Sequence, residues 1–251
     1  NVTVGSSRNL VDFRFPVQYV NRPHQDFRGY TGQIASGVVR VGDEVMALPS
    51  GRTTRIRSIE TYDGPLPFAF PPQSVTLCLE DEIDLSRGEM LVHPNNLPHI
   101  VEEVEAILIW MDVEPFQPGK TYLVKHTTRL IKGVFSKLHY RINPDGLHRE
   151  PCNCLVLNEI GRTILQLHHP IFFDEYERNR QTGALIVIDP LSNRTVGAGI
   201  LISRGKPHVR ISPRITSGVP VSRNIMKEKS LVTAEDRQQL LGHKAVTLWL
   251  T

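Results

Sequence analysis

The chain has 251 residues, room for one to two domains, and its 40% hydrophobic and 22% charged content is that of a folded globular protein. A formal net charge of +3 is too small to argue for nucleic acid by itself, and three cysteines, a low and odd number, leave no disulfide framework and suit a reducing compartment. No apolar run reaches spanning length and Asn1 to Arg8 lacks an apolar signal core, so the expectation is a cytoplasmic protein with no membrane partner. Eighteen Gly and eighteen Pro mark many turns and favour strands over helices.

From Arg14 to about Pro94 short strands alternate with turn chemistry. Phe15, Val17 and Tyr19 alternate with Pro16, Gln18 and Val20; Tyr30 to Ala35 and Glu44 to Leu48 follow, and Val75, Leu77 and Leu79 alternate with Thr76, Cys78 and Glu80. Pro49-Ser50-Gly51 predicts a hairpin turn, because Gly accepts the positive φ of a tight reversal. Strand after strand with short links predicts a small closed barrel, which leaves no open edge. Asn95-Asn96-Leu97-Pro98 reads as a linker, and a second all-β unit follows: Val101 to Met111, Tyr122 to His126, Lys132 to Ile142, Ala184 to Asp189 and Thr195 to Leu201. Within it Asn143-Pro144-Asp145-Gly146 is a turn, Pro fixing φ and Gly supplying the left-handed position.

From Ser203 to Ser222 the composition shifts to Arg, Lys, Pro, Ser and Gly with little periodicity, a connector. Its Arg204, Lys206, His208, Arg210 and Arg214 lack the aromatic interleaving or helical stripe of a nucleic-acid site. Beyond it, Thr233-Ala234-Glu235-Asp236 is a helix N-terminus, a capping hydroxyl followed by carboxylates at the positive end of the dipole. Gly242 stops that helix, and Val246, Leu248, Trp249 and Leu250 form the apolar run of a buried parallel strand.

Three resemblances attach to particular residues. Phe27 to Gly37, with Val41-Gly42-Asp43-Glu44-Val45, resembles the second domain of translational GTPases such as elongation factor Tu, its glycines letting a barrel strand bend. Asp12 to Pro23, Leu79 to Asp84 with Arg87-Gly88, and Leu157-Asn158-Glu159-Ile160-Gly161 resemble the GTP-hydrolysing large subunit of bacterial ATP sulfurylase, over about residues 10 to 202. Arg223-Asn224-Ile225, Val232-Thr233, Asp236-Arg237, Leu241-Gly242, Lys244 and Leu248-Trp249-Leu250-Thr251 resemble the N-terminal segment of adenylylsulfate kinase, just short of its phosphate loop. Together they resemble the fused form in which both activities share one chain.

The resulting expectation is an all-β protein of two consecutive elongation-factor-like β-barrels, with a short α/β kinase-like C-terminal stub. The barrels span residues 1–95 and 96–202, the linker 203–222, and the kinase segment 223–251. The resemblance implies a fragment of a bifunctional sulfate-activating enzyme, with its own GTPase and kinase domains absent, GTP, ATP and Mg as the parent's cofactors, and the small catalytic subunit of ATP sulfurylase as partner. No catalytic, cofactor or metal residue is assigned to the barrels, whose implied role is a platform. The alternatives are transfer-RNA-binding barrels of a translation factor, or a non-enzymatic adaptor. The kinase-like tail argues against both.

Several motifs invite chemistry and receive a plainer reading. Pro118-Gly119-Lys120-Thr121 looks like half a phosphate loop, but Glu114 stands where the first glycine belongs and a strand pattern follows, so a β-turn is expected. Asp26-Phe27-Arg28-Gly29 has GTPase-switch spacing without a phosphate loop upstream. Cys152 and Cys154, near His148 and the pair His168-His169, raise a metal site; in a strand they share a face with Val156, and a packed barrel wall is preferred. Glu80, Asp81, Glu82 and Asp84 read as a solvated turn rather than a cation site. The polar loop Arg22 to Arg28, on a rigid barrel, supplies the candidate partner contacts Arg22, Asp26 and Arg28.

Overall fold

The computed structural model describes residues 9–24, 27–144, 146 and 148–202. The connector and the kinase-like segment expected after residue 202 lie outside the described residues, and so does Asp26. Among the described residues the regular elements are all strands: β1 (Arg14–Asn21), β2 (Gly29–Gln33), β3 (Val39–Arg40), β4 (Glu44–Leu48), β5 (Arg52–Thr61), β6 (Gly64–Leu66), β7 (Phe68–Ala69), β8 (Ser74–Leu79) and β9 (Met90–Val92). There follow β10 (His99–Trp110), β11 (Thr121–His126), β12 (Arg129–Ile142), β13 (Arg149–Glu150), β14 (Ile160–Phe173), β15 (Ala184–Ile188) and β16 (Thr195–Leu201).

Two sheets close on themselves. The first runs β1-β2-β8-β5-β4-β9 and back to β1, with β6 appended to β5; the second runs β10-β14-β12-β11-β15-β16 and back to β10, with β13 appended to β12. Every neighbouring pair is antiparallel, and closure removes the unpaired edges that invite aggregation. Phe15, Val17, Tyr30, Ile56 and Leu77 fill the first interior. The second holds an aromatic cluster in which Trp110, Phe116, Tyr122 and Phe135 meet mostly edge to face, Trp110 and Phe116 with centroids 5.3 Å apart.

Several strands escape the alternation rule; in β1 a register shift between Val17 and Tyr19 leaves Tyr19 63% exposed and Val20 packed on the core, so the expected alternation of Phe15, Val17 and Tyr19 breaks there. In β5, Ile56 and Ile59 both point inward although three positions apart, because a register shift between Ile56 and Ser58 resets the phase. In β14, Gly161, Thr163, Leu165 and Leu167 alternate inward, but His168, His169 and Pro170 then interrupt the pattern in a strand that continues to Phe173. Elsewhere the expected strands form with shifts of a few residues at their ends.

The glycines of β2 serve close approach. A Cβ at Gly32 would lie 2.6 Å from the Pro16 carbonyl oxygen of β1. At Gly37, φ is +73° and a Cβ would fall 2.3 Å from the Phe13 backbone. The segment Asn95 to Pro98 is more than a linker, since Asn96 binds Asp12 and Arg14 of the first barrel. Both barrels lie in one compact unit of the chain, and an apolar seam joins them: Leu48, Met90 and Val92 of the first pack with Ile100 and Phe172 of the second.

Candidate functional site

Beside the seam lies a polar junction whose partners are far apart in sequence. Arg14, fully buried on β1, donates from Nε and Nη2 to the two oxygens of Asp174 beyond β14, both at 2.9 Å, and from Nη1 to the Asn96 carbonyl at 2.8 Å. Thr182 Oγ1 adds a third donor to Asp174 at 3.0 Å. Asp12 receives Nε and Nη2 of Arg178, each at 2.6 Å, and Nδ2 of Asn96 at 2.7 Å. The Arg178 guanidinium therefore holds the Asp12 carboxyl well below the usual carboxylate range in spite of its burial. His126 is buried nearby, its Nε2 2.7 Å from the Thr182 carbonyl, so that nitrogen carries the proton and the ring is neutral; burial pushes it down to about 4. Nothing in local sequence pattern signals these pairs; the motif residues Asp12 and Arg14 were legible only as part of a resemblance.

The candidate contacts Arg22 and Arg28 stand at the β1–β2 end of the first barrel, opposite the acidic turn after β8. Arg22 is exposed, 3.8 Å from Glu82, and Arg28 lies 3.7 Å from Asp84 with its guanidinium 5.7 Å from the Tyr30 ring centroid. Tyr30 donates to the Ile83 carbonyl at 2.5 Å and so fixes the turn to β2. Glu80, Asp81, Glu82 and Asp84 are exposed, as a solvated turn should be, and Asp81 accepts from Thr54 Oγ1 at 2.8 Å. The exposed Arg22–Glu82 pair is worth about 0–1 kcal/mol, whereas Arg28 is only partly exposed and lies against Tyr30.

The phosphate-loop look-alike is a turn: Gly119 has φ +87° and β11 starts at Thr121. Lys120 is 3.2 Å from Asp189, which two bonds from Ser192 hold at about 2, on the rim of a cavity of about 300 Å³ lined by Trp110, Asp112, Tyr122 and Arg194. The packed-wall expectation for the cysteines fails. Residues 151–154 are not a regular strand, Cys154 and Val156 are exposed, and only Cys152 packs against the core; the buried wall residue is Leu155, bridged to Phe116. Arg141 of β12 binds Glu150 at 2.8 Å and Glu159 at 2.5 Å, one at each end of this segment. Among the described residues no group of His, Cys, Asp or Glu is arranged to hold a metal ion.

The fold and junction define a pair of elongation-factor-type barrels. Residues 103–202 match the family described as GTP-eEF1A C-terminal domain-like. The crystal structure of sup35 complexed with GMPPNP superposes with a TM-score of 0.70 at 16% identity, over 80% of this chain and 49% of that one, a likeness of fold. The chain is 48% identical over all 251 residues to the bifunctional enzyme CysN/CysC of Rhodopirellula baltica, 38% of whose length it spans. It is 44% identical to the bifunctional enzyme CysN/CysC of Mycobacterium tuberculosis, with 100% of this chain and 39% of that protein covered. Sulfate adenylyltransferase subunit 1 of Bacteroides fragilis is 49% identical over 203 residues, 81% of this chain and 43% of its own length. The chain is similar to CysN/CysC enzymes and to sulfate adenylyltransferase subunit 1, and spans less than half the length of these relatives.

Proposed function

We propose that this chain is the non-catalytic barrel region of a cytoplasmic sulfate-activating enzyme, one that makes adenylylsulfate from ATP and sulfate with GTP hydrolysis and then phosphorylates it. In this reading residues 1–95 and 96–202 are platform domains, 203–222 a linker and 223–251 the start of an adenylylsulfate kinase domain. GTP, ATP and Mg belong to the GTPase, kinase and small catalytic subunit with which the barrels work. The reach of the similarity carries the reading: bifunctional relatives match 100% of the chain, whereas subunit 1 of Bacteroides fragilis matches 81%, a difference that a kinase-like tail accounts for. The double attachment of one barrel to the other, apolar seam and the ion pairs Arg14–Asp174 and Arg178–Asp12, supports a platform that transmits movement rather than absorbing it.

The small subunit meets the loop that bears Arg22, Asp26 and Arg28. Calorimetric titration of the chain with a small ATP-sulfurylase subunit tests this. Saturable binding is expected, weakened by Arg22→Glu or Arg28→Glu and unaffected by Arg194→Glu, exposed on the second barrel. Absence of a complex overturns the platform reading, and equal weakening by all three variants overturns the loop.

A further inference from the structure

Positive charge is left unmatched on one face of the second barrel. Lys120, Arg141, Arg162, Arg178 and Arg194 all lie within ion-pair distance of a carboxylate. Lys125 on β11 and Lys132 and Lys137 on β12 are exposed and, among the described residues, belong to no ion pair. The strand registers place Lys125 and Lys132 together, with Lys137 further along β12 opposite Ile164. Leu123 pairs with Lys132, Lys125 with Leu130 and with Ile186 of β15, and Gly133 with Leu167, so the next step sets Lys132 beside exposed His168. Inward neighbours Val124, Ile131, Phe135, Leu165 and Val187 are buried, which fixes this set as the outer face.

The face is also apolar. Leu130 is 57% and Ile186 41% exposed, with Leu123 and Val134 half-buried among the lysines. The nearest carboxylates on the neighbouring strand are already engaged, Glu103 by Gln166 at 3.0 Å and Glu105 by Arg162. We propose that the outer face of β15-β11-β12-β14 docks an acidic segment of a separate polypeptide that carries aliphatic side chains. The lysines answer its carboxylates, and Leu130, Ile186, Leu123 and Val134 take its apolar groups. Beside the lysines the aromatic side chains, on which single-stranded nucleic acid would stack, point the other way: Tyr122 and Phe135 are buried, and half-buried Tyr140 further along β12 has the Arg149 guanidinium 4.9 Å from its ring centroid. A closed barrel offers no free edge, so recognition runs through side chains rather than strand addition. The proposal does not rest on the enzymatic reading, and its face is separate from the Arg22–Arg28 loop.

The test is fluorescence anisotropy of a labelled short peptide alternating Glu and Leu, titrated with the full chain. Binding is expected, weakened about tenfold by Lys125→Glu with Lys132→Glu and weakened again by added salt. Lys132→Gln and Leu130→Ser should each weaken it in part, with the far-ultraviolet dichroism unchanged, and Arg52→Glu with Arg55→Glu on the first barrel should leave it intact. No binding, equal binding by the Lys125→Glu, Lys132→Glu variant, or tighter binding of a single-stranded oligonucleotide than of the peptide would overturn the proposal.

Discussion

Arg14 and Asp174 show why the worth of an ion pair depends on its surroundings. Both side chains are buried, at 1% and 4% exposure, and each oxygen and donor is matched. Asp174→Ala leaves a guanidinium in the interior without its counter-charge, and a loss of about 3–5 kcal/mol is expected. Glu105→Ala, which frees a partly exposed Arg162 to turn to water, should cost less than about 1 kcal/mol. Urea unfolding of both variants checks the contrast. His126 gives the pH dependence. Its ordinary value of 6.5 is pushed down to about 4 by burial, with Arg129 acting in the same direction against the Thr182 carbonyl and Asp174. The unfolded chain therefore takes up a proton below pH 6.5 that the folded chain refuses until about 4. Stability should fall across that window by on the order of 3 kcal/mol and level off below it, as far as this residue is concerned. Asp12, also shifted downward, acts in the same sense at lower pH: its stabilisation is full above the ordinary carboxylate value and disappears in stronger acid. Denaturation midpoints of the wild type and His126→Gln, compared from pH 7 to 4, should diverge, with the flatter profile in the variant.

At the scale of elements, backbone approach matters more than the hydrophobic pattern. The Ser36–Gly37 turn passes so near Phe13 that a methyl group at Gly37 meets backbone atoms, which cannot move aside as a side chain can, and φ is already positive. Gly37→Ala should destabilise by more than the roughly 1 kcal/mol of an ordinary glycine effect, and should loosen Arg14, whose backbone NH donates to the Ser36 carbonyl at 3.0 Å. Hydrogen exchange at Arg14 and Ala35 in that variant measures it; protection unchanged from wild type would contradict the close approach. The bulge in β5 and the Pro170 interruption in β14 belong to the same scale: each preserves inward burial while spoiling the repeat a reader counts.

For the whole molecule, the seam and the polar junction predict that the barrels unfold as one. The slowest-exchanging amides of β8 and of β10 should report a common opening free energy, and Phe172→Ala, at a cost of about 3–5 kcal/mol, should split them into separate values. Different values already in the wild type would mean that the seam does not couple the barrels.

Much of this was determined by the sequence itself. Alternation in β4 and β8, turns at Pro49-Ser50-Gly51 and Gly119, and the long motifs around Asp12 and Phe27 sufficed for an all-β chain of elongation-factor-like barrels, because period and turn chemistry are local. What the tertiary structure alone decided is how distant residues meet. It chose Asp174 and Arg178 as partners of Arg14 and Asp12, turned Asn96 from linker into a partner of the same two residues, brought Cys154 to the surface, and gathered Lys125, Lys132 and His168 on one face. Register and closure fix those pairings across more than a hundred residues in the case of Arg14 and Asp174, a separation at which periodicity carries no information.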